Sequence, residues 1–167
     1  MITLATTKDI QDIATLYKSS WQNTYKELVP EDYLQSLSTK EIQTKWQLFL
    51  ADAHTSPNIY LYRDHNQLLL GFIAIKQERH IGEIYALYVA KEAKGKGIGK
   101  LLFQTAMTYF ETLRIGQVRI WVMQKNYPAV AFYQHLGGIL EQTRTSTFDT
   151  YTVIDEAYRF DVFLSNT

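Results

Sequence analysis

The sequence predicts an α/β (α+β) fold: a single domain over residues 1–167, with a mixed, mostly antiparallel central sheet flanked by helices. Three observations predict it. Apolar residues recur at helical spacing through the first part of the chain. Two strand-type runs then flank a short polar turn, as in a hairpin. Farther on, an apolar strand passes through a glycine-rich loop into a helix and out to another strand, the order of a parallel crossover.

Taken in order, Ile2–Leu4 reads as a short opening strand. Ile10, Ile13, Ala14, Tyr17, Trp21 and Tyr25 mark one face of a helix that the polar residues around Pro30 interrupt. A short helix near Asp32–Leu37 follows. Ser38-Thr39-Lys40-Glu41 is a capping-box pattern, opening a helix that carries Ile42, Trp46, Phe49 and Leu50. Asn58–Arg63 and Leu68–Lys76 form the hairpin around Asp64-His65-Asn66-Gln67. Ile81–Val89 is nearly all apolar, as expected of a strand buried on both faces. A helix over Ile98–Leu113 has an inner stripe of Leu102, Ala106, Tyr109/Phe110 and Leu113. Val118–Val122 is a strand and Ala129–His135 a short helix stopped by Leu136-Gly137-Gly138. Strands near Ile139–Thr147 and Glu156–Phe163 close the chain.

Composition narrows the function. Lysine plus arginine equals aspartate plus glutamate at 17 each, so no global field attracts nucleic acid or an anionic membrane. Any anion site is therefore local. The absence of cysteine removes disulfides, thiolate nucleophiles and cysteine–zinc sites, and agrees with a reducing compartment. His54, His65, His80 and His135 are scattered without ligand spacing, so no metal is expected. The residues from Met1 to Lys8 lack an apolar run behind a basic head, and a soluble, cytoplasmic protein is expected.

The most informative segment is Leu87-Tyr88-Val89 leading to Lys94-Gly95-Lys96-Gly97-Ile98-Gly99-Lys100. A strand ends, three glycines alternate with other residues, and a helix begins. Glycine lets the backbone approach a ligand and adopt positive φ. The unpaired amides of a helix start then favour phosphate. A hydrogen bond to a charged group is worth roughly 1.5–3 kcal/mol and an exposed lysine about 0–1 kcal/mol, so the amides should hold and the lysines steer. A nucleoside-triphosphate loop is excluded because Leu101 follows Gly99-Lys100, where serine or threonine is required. A dinucleotide fingerprint is excluded because the spacing is G-x-G-x-G and Met123-Gln124 follow the next strand, where an acid is required.

This segment resembles motif A of the GNAT superfamily of N-acetyltransferases, Q/R-x-x-G-x-G/A. Trp121-Val122, Asn126, Ala129, Phe132-Tyr133 and Leu136-Gly137 resemble the second motif, in the expected order and separation. Lys94 departs from the usual glutamine or arginine, and Gly138 from the usual aromatic, which is expected to loosen packing. The resemblance implies a GNAT-like domain with acetyl-CoA as acetyl donor. It also implies that Leu87 and Val89 offer backbone groups to the pantetheine arm and acetyl carbonyl, the arm pairing as an extra strand in a splayed sheet. By the same resemblance, Lys94 through Lys100 cradle the pyrophosphate, Asn126 binds the arm, Ala129 leaves room for it, and Tyr133 lies beside the thioester sulfur.

Acyl transfer needs a neutral amine, support for the carbonyl oxygen and a proton for the departing thiolate. Tyr133 fits the last role, its alternative being a core aromatic. Glu83 is the candidate base: it is the only carboxylate within Ile81–Val89, on the face of Tyr85, Leu87 and Val89 if the alternation holds. Burial would make its carboxylate a better base, and a solvated charge at a strand start is the alternative. Trp21, Tyr25 and Tyr85 are candidate acceptor-pocket residues, with a structural stripe as the alternative for the first two. The expected acceptor is a small-molecule or protein amine. Glu27, Glu31 and Asp32 could attract a polyamine, although such clusters are usually solvated helix ends. A non-catalytic acyl-CoA-binding module, an enzyme for longer acyl-CoA donors and a homodimer stay open.

Overall fold

The computed structural model describes residues 1–162, and these form a seven-stranded sheet in the order β1-β2-β3-β4-β5-β7-β6. The strands are β1 (Ile2–Leu4), β2 (Asn58–Arg63), β3 (Leu69–Glu78), β4 (Ile81–Val89), β5 (Gln117–Met123), β6 (Ile139–Phe148) and β7 (Tyr151–Asp161). The helices are α1 (Ile10–Thr24), α2 (Glu31–Gln35), α3 (Thr39–Ala51), α4 (Ile98–Thr112) and α5 (Tyr127–His135). All neighbouring strands run antiparallel except β4 and β5, which α4 joins as a crossover.

Alternation along β3 assigns the layers. A Cβ on Gly71 would lie 3.1 Å from Ile98 and 3.2 Å from Leu102, so this face carries α4. The next residue, Phe72, packs edge-on against Trp46 of α3 at 5.3 Å, so the other face carries α1 and α3. Gly82 sets the depth of α4, because a Cβ there would lie 2.6 Å from the Phe110 ring. Between the layers lies one core, including Ile13, Trp46, Phe72, Ile73, Leu102 and Tyr158.

Several boundaries depart from expectation for local reasons. Ser38 accepts the Glu41 N–H at 3.3 Å as a cap should, while the full reciprocal box forms ahead of α1 between Thr6 and Asp9. Leu68 is exposed, because β3 begins at Leu69. Leu113 is the exposed C-cap of α4 rather than part of its inner stripe. The last hairpin is tighter than expected: Phe148 pairs with Tyr151, with Asp149 at positive φ in the turn. Its polar, exposed outer strand hid the early start of β7. Phe163, the expected end of that strand, lies outside the described residues.

Candidate active site

The sheet opens in its middle. β4 and β5 pair in parallel only from Ile81 with Gln117 to Ile84 with Ile120, and then diverge. A bulge marks the parting: Ala74 pairs with Ala86 and Ile75 with Ile84, leaving Tyr85 as the extra residue. The bulge also breaks the expected alternation. Glu83 and Tyr85 stay on the α1/α3 face, where Glu83 is opposite Lys76 and Tyr85 stacks on Phe49 at 4.9 Å. Leu87 and Val89 move to the α4 face, Val89 pairing with Gly71 and lying beside Gly99. The expectation that all four share a face, in a strand buried on both sides, is therefore corrected; Tyr85 is 38% exposed.

This parting creates a cleft of about 440 Å³, lined by β4 from Glu83 to Val89, by β5 from Ile120 to Met123, and by α1 and α5. Hydrogen-bond direction along β4 follows from one contact. The Ala90 N–H donates to the Leu70 carbonyl at 2.8 Å, toward β3. By alternation the main-chain groups of Tyr88 also face β3, and those of Leu87 and Val89 face the cleft. An extended ligand can therefore pair with them where β5 no longer does.

At the cleft's end, Gly97 caps α4 in the left-handed region at φ 79°, and Gly95 has φ 76°. Among the described residues, the amides from Gly95 to Lys100 have no backbone acceptor, and the dipole end of α4 adds to them. Lys94, Lys96 and Lys100 are exposed around this turn. Gly99 is a packing position, since a Cβ would touch Phe132 of α5 at 3.4 Å. Together these features fit a diphosphate followed by an extended arm.

On the opposite wall, buried Asn126 caps α5, its Oδ1 accepting the Ala129 N–H at 3.4 Å. That bond fixes the oxygen and leaves the amide NH₂ facing the cleft, with the Tyr25 hydroxyl as one of its partners. Tyr133 is 5% exposed and lines the same cleft. Burial first, and the Tyr25 hydroxyl next, push its pKa well up, which keeps the phenol proton-bearing. Gly138, expected to loosen the packing, does the reverse. A Cβ there would lie 2.8 Å from the Tyr133 carbonyl oxygen and 2.9 Å from Phe160, so Phe160 already fills the space.

The α1 side of the cleft is aromatic. Trp21 donates its Nε1–H to the Tyr88 hydroxyl at 2.9 Å, and Tyr25 lies against it at 4.3 Å between ring centroids. Burial pushes the Tyr25 pKa up to about 12, with Asn126 as an opposing hydrogen-bond partner. Glu83 is not in an apolar pocket as expected: its side chain is 26% exposed, with Lys76 Nζ 3.6 Å away. Glu27, Glu31 and Asp32 are exposed and line no part of the cleft, so the acidic cluster is a solvated helix end.

Sequence reasoning missed four residues of this wall. Lys45 looks like any lysine of an amphipathic helix. Arg144, Asp155 and Phe148 lie in a polar hairpin without a motif. Arg144 covers the Trp121 ring at 4.0 Å and pairs with Asp155 at 3.3 Å, and Ser146 donates to the same carboxylate. Phe148 meets Trp21 at 5.6 Å.

The splayed parallel pair, the glycine-rich anion turn and buried Tyr133 thus border one opening. The sequence profile of the Acetyltransferase (GNAT) family matches residues 10–138, and the chain belongs to that family. It is 32% identical over 141 residues to the uncharacterized N-acetyltransferase YuaI of Bacillus subtilis, covering 80% of this chain and 78% of that protein. It is 27% identical over 144 residues to the spermidine N(1)-acetyltransferase of Thermoplasma acidophilum, covering 84% and 89%. The fold matches the crystal structure of the PaiA N-acetyltransferase from Thermoplasma acidophilum in complex with coenzyme A. The TM-score is 0.72 at 22% identity, over 93% of this chain and 96% of that one. Acetyl-CoA is accordingly the donor substrate. Among the described residues no helix is long and apolar enough to cross a membrane.

Proposed function

We propose that the chain transfers the acetyl group of acetyl-CoA to an amine by direct attack, with both substrates bound in the one cleft. The observation that carries this reading is that Glu83 and Tyr133 line the same opening, together with the main chain of Leu87 and Val89. The Val89 N–H, aimed into the cleft, polarises the thioester carbonyl as negative charge builds on its oxygen. The amine nitrogen forms its bond to the carbonyl carbon while the carbon–sulfur bond breaks. Glu83 takes the amine's proton through water, a task suited to a carboxylate that solvent reaches. Tyr133 donates to the departing sulfur. Its pKa lies well above the 8.5 or so of a thiol, so it keeps its proton and stabilises the departing thiolate by hydrogen bonding, the thiolate leaving as such or taking a proton from solvent.

Leu87, Val89, Lys94, Gly95, Lys96, Gly97, Ile98, Gly99, Lys100, Asn126, Ala129 and Tyr133 are assigned to the donor; Tyr88, expected with them, turns its main chain to β3 and its hydroxyl to Trp21, and supports the wall instead. Trp21, Tyr25 and Tyr85 are assigned to the acceptor. The open aromatic wall supports an enzyme over a binding module whose acceptor side would be closed. Free-thiol release from acetyl-CoA across a panel of amines tests the proposal. Release that depends on one acceptor class is expected. Binding of acetyl-CoA without release on any amine would overturn it.

A further inference from the structure

Lys45 sits in α3 with its ammonium turned into the cleft rather than to solvent. Its Nζ donates to the Tyr17 hydroxyl at 2.8 Å and lies over three rings: Tyr17 at 4.5 Å, Tyr85 at 5.5 Å and Trp46 at 5.6 Å. Among the described residues no carboxylate pairs with it. Aromatic faces and one neutral hydroxyl compensate only part of the cost of removing an ammonium from water. Nearby, Lys76 lies over the Tyr85 ring at 5.0 Å, but its charge is already matched by Glu83. This end of the cleft therefore carries one cation in excess.

The donors are arranged for a planar anion. An ammonium has three N–H groups, of which Tyr17 uses one. Because the Tyr17 oxygen accepts that bond, its own O–H is free to turn to another acceptor. Lys45 and Tyr17 thus offer two adjacent donors to the two oxygens of one carboxylate. A second cation at this place would be repelled.

We propose that Lys45, with Tyr17, binds a carboxylate of the acceptor, so that the amine substrate is an amino acid or a similar amino-carboxylate and not a polyamine. This rests on the reading of the aromatic wall as the acceptor site and names the substrate class for it. Lys45 is a specificity-determining residue in this scheme, separate from Glu83 and Tyr133.

The test is calorimetric titration of the coenzyme A-loaded protein with amino acids and with their carboxamides, phenylalanine against phenylalaninamide first, and spermidine in parallel. At least one amino acid should bind tenfold or more tightly than its amide. Lys45→Met should abolish that difference, and Lys45→Arg should keep most of it. Equal affinity within every pair, no binding by any amino acid, a preference for spermidine, or a preference that survives Lys45→Met would each overturn the proposal. Thiol release is measured on the same pairs. Selective carboxylate binding without release would leave the subsite standing and remove the transfer reading.

Discussion

The indole N–H of Trp21 in α1 is hydrogen-bonded to the hydroxyl of Tyr88 in β4 at 2.9 Å. This bond ties the aromatic wall of the cleft to the strand whose neighbouring main-chain groups face into it. Trp21 is 9% exposed, and Tyr17 lies edge-on to Tyr88 at 5.3 Å, so little water can replace a lost partner. Tyr88→Phe should cost about 0.5–1.5 kcal/mol, the net worth of one hydrogen bond, because the Tyr17 hydroxyl also stands within reach of the indole N–H. Thermal denaturation should show a drop of roughly 2–4 °C for each kcal/mol lost. An unchanged midpoint would mean that the bond contributes nothing.

Tyr133→Phe removes one hydroxyl from a buried ring and leaves the donor turn intact. Turnover should fall by about 10²–10⁴-fold, the usual worth of a placed acid, with acetyl-CoA affinity nearly unaltered. Steady-state rates and calorimetry together decide. Full turnover in the variant would remove Tyr133 from the chemistry.

Glu83→Gln keeps the shape of the side chain and removes its proton-accepting ability. The rise of rate with pH should flatten or shift relative to the parent enzyme. The substitution also frees Lys76 from its ion pair, so Lys76→Met serves as the control for lost charge pairing. Superimposable pH profiles for Glu83→Gln and the parent would point to another base.

Gly97→Val places a β-branched residue at φ 79°, a conformation that costs such side chains roughly 1–3 kcal/mol. No protein atom lies within 4 Å of the added Cβ, so the effect is one of backbone conformation. The amides around α4's start should turn away from the diphosphate. Acetyl-CoA affinity should weaken by about tenfold or more, read by titration. Parent-like affinity would mean that the turn does not hold the donor.

The Lys45 proposal has a pH signature. Burial lowers the Lys45 pKa to about 8. Facing it are Tyr17 from α1 and Tyr85 from β4, while Lys76 from β3 lies over the same Tyr85 ring and is paired with Glu83. Burial raises both tyrosines above their usual range, so their hydroxyls stay neutral near pH 8. Carboxylate binding should be strong below pH 8 and fade as Lys45 loses its proton above it. Stability should move the opposite way. Between about pH 8 and 10.5 the unfolded chain holds a proton on Lys45 that the folded chain has released, so stability from this residue rises with pH. Affinity for the carboxylate ligand that stays flat from pH 7 to roughly 9.5 would break the link to Lys45.

What could be read without coordinates was whatever depends on local spacing. The helical stripe from Ile10 to Trp21, the β2–β3 hairpin and the turn from Lys94 to Lys100 each place their signal within a few consecutive residues. There, sterics and unpaired amides act before any distant contact forms. Asn126 and Tyr133 stood out only through resemblance to the family's second motif, since spacing alone reads Tyr133 as a core aromatic on a short helix.

Tertiary structure alone decided what those residues face. The bulge at Tyr85 arises from pairing with β3, and it sent Leu87 and Val89 to one face and Glu83 to the other. No pattern within β4 records a partner's register. Lys45 gained its meaning only when Tyr17, Trp46 and Tyr85, from three separate elements, closed around it. Arg144 and Asp155 reached the cleft through a hairpin whose polar strands look solvated along the chain. Desolvation and charge balance depend on neighbours in space, and a linear order of side chains does not contain them.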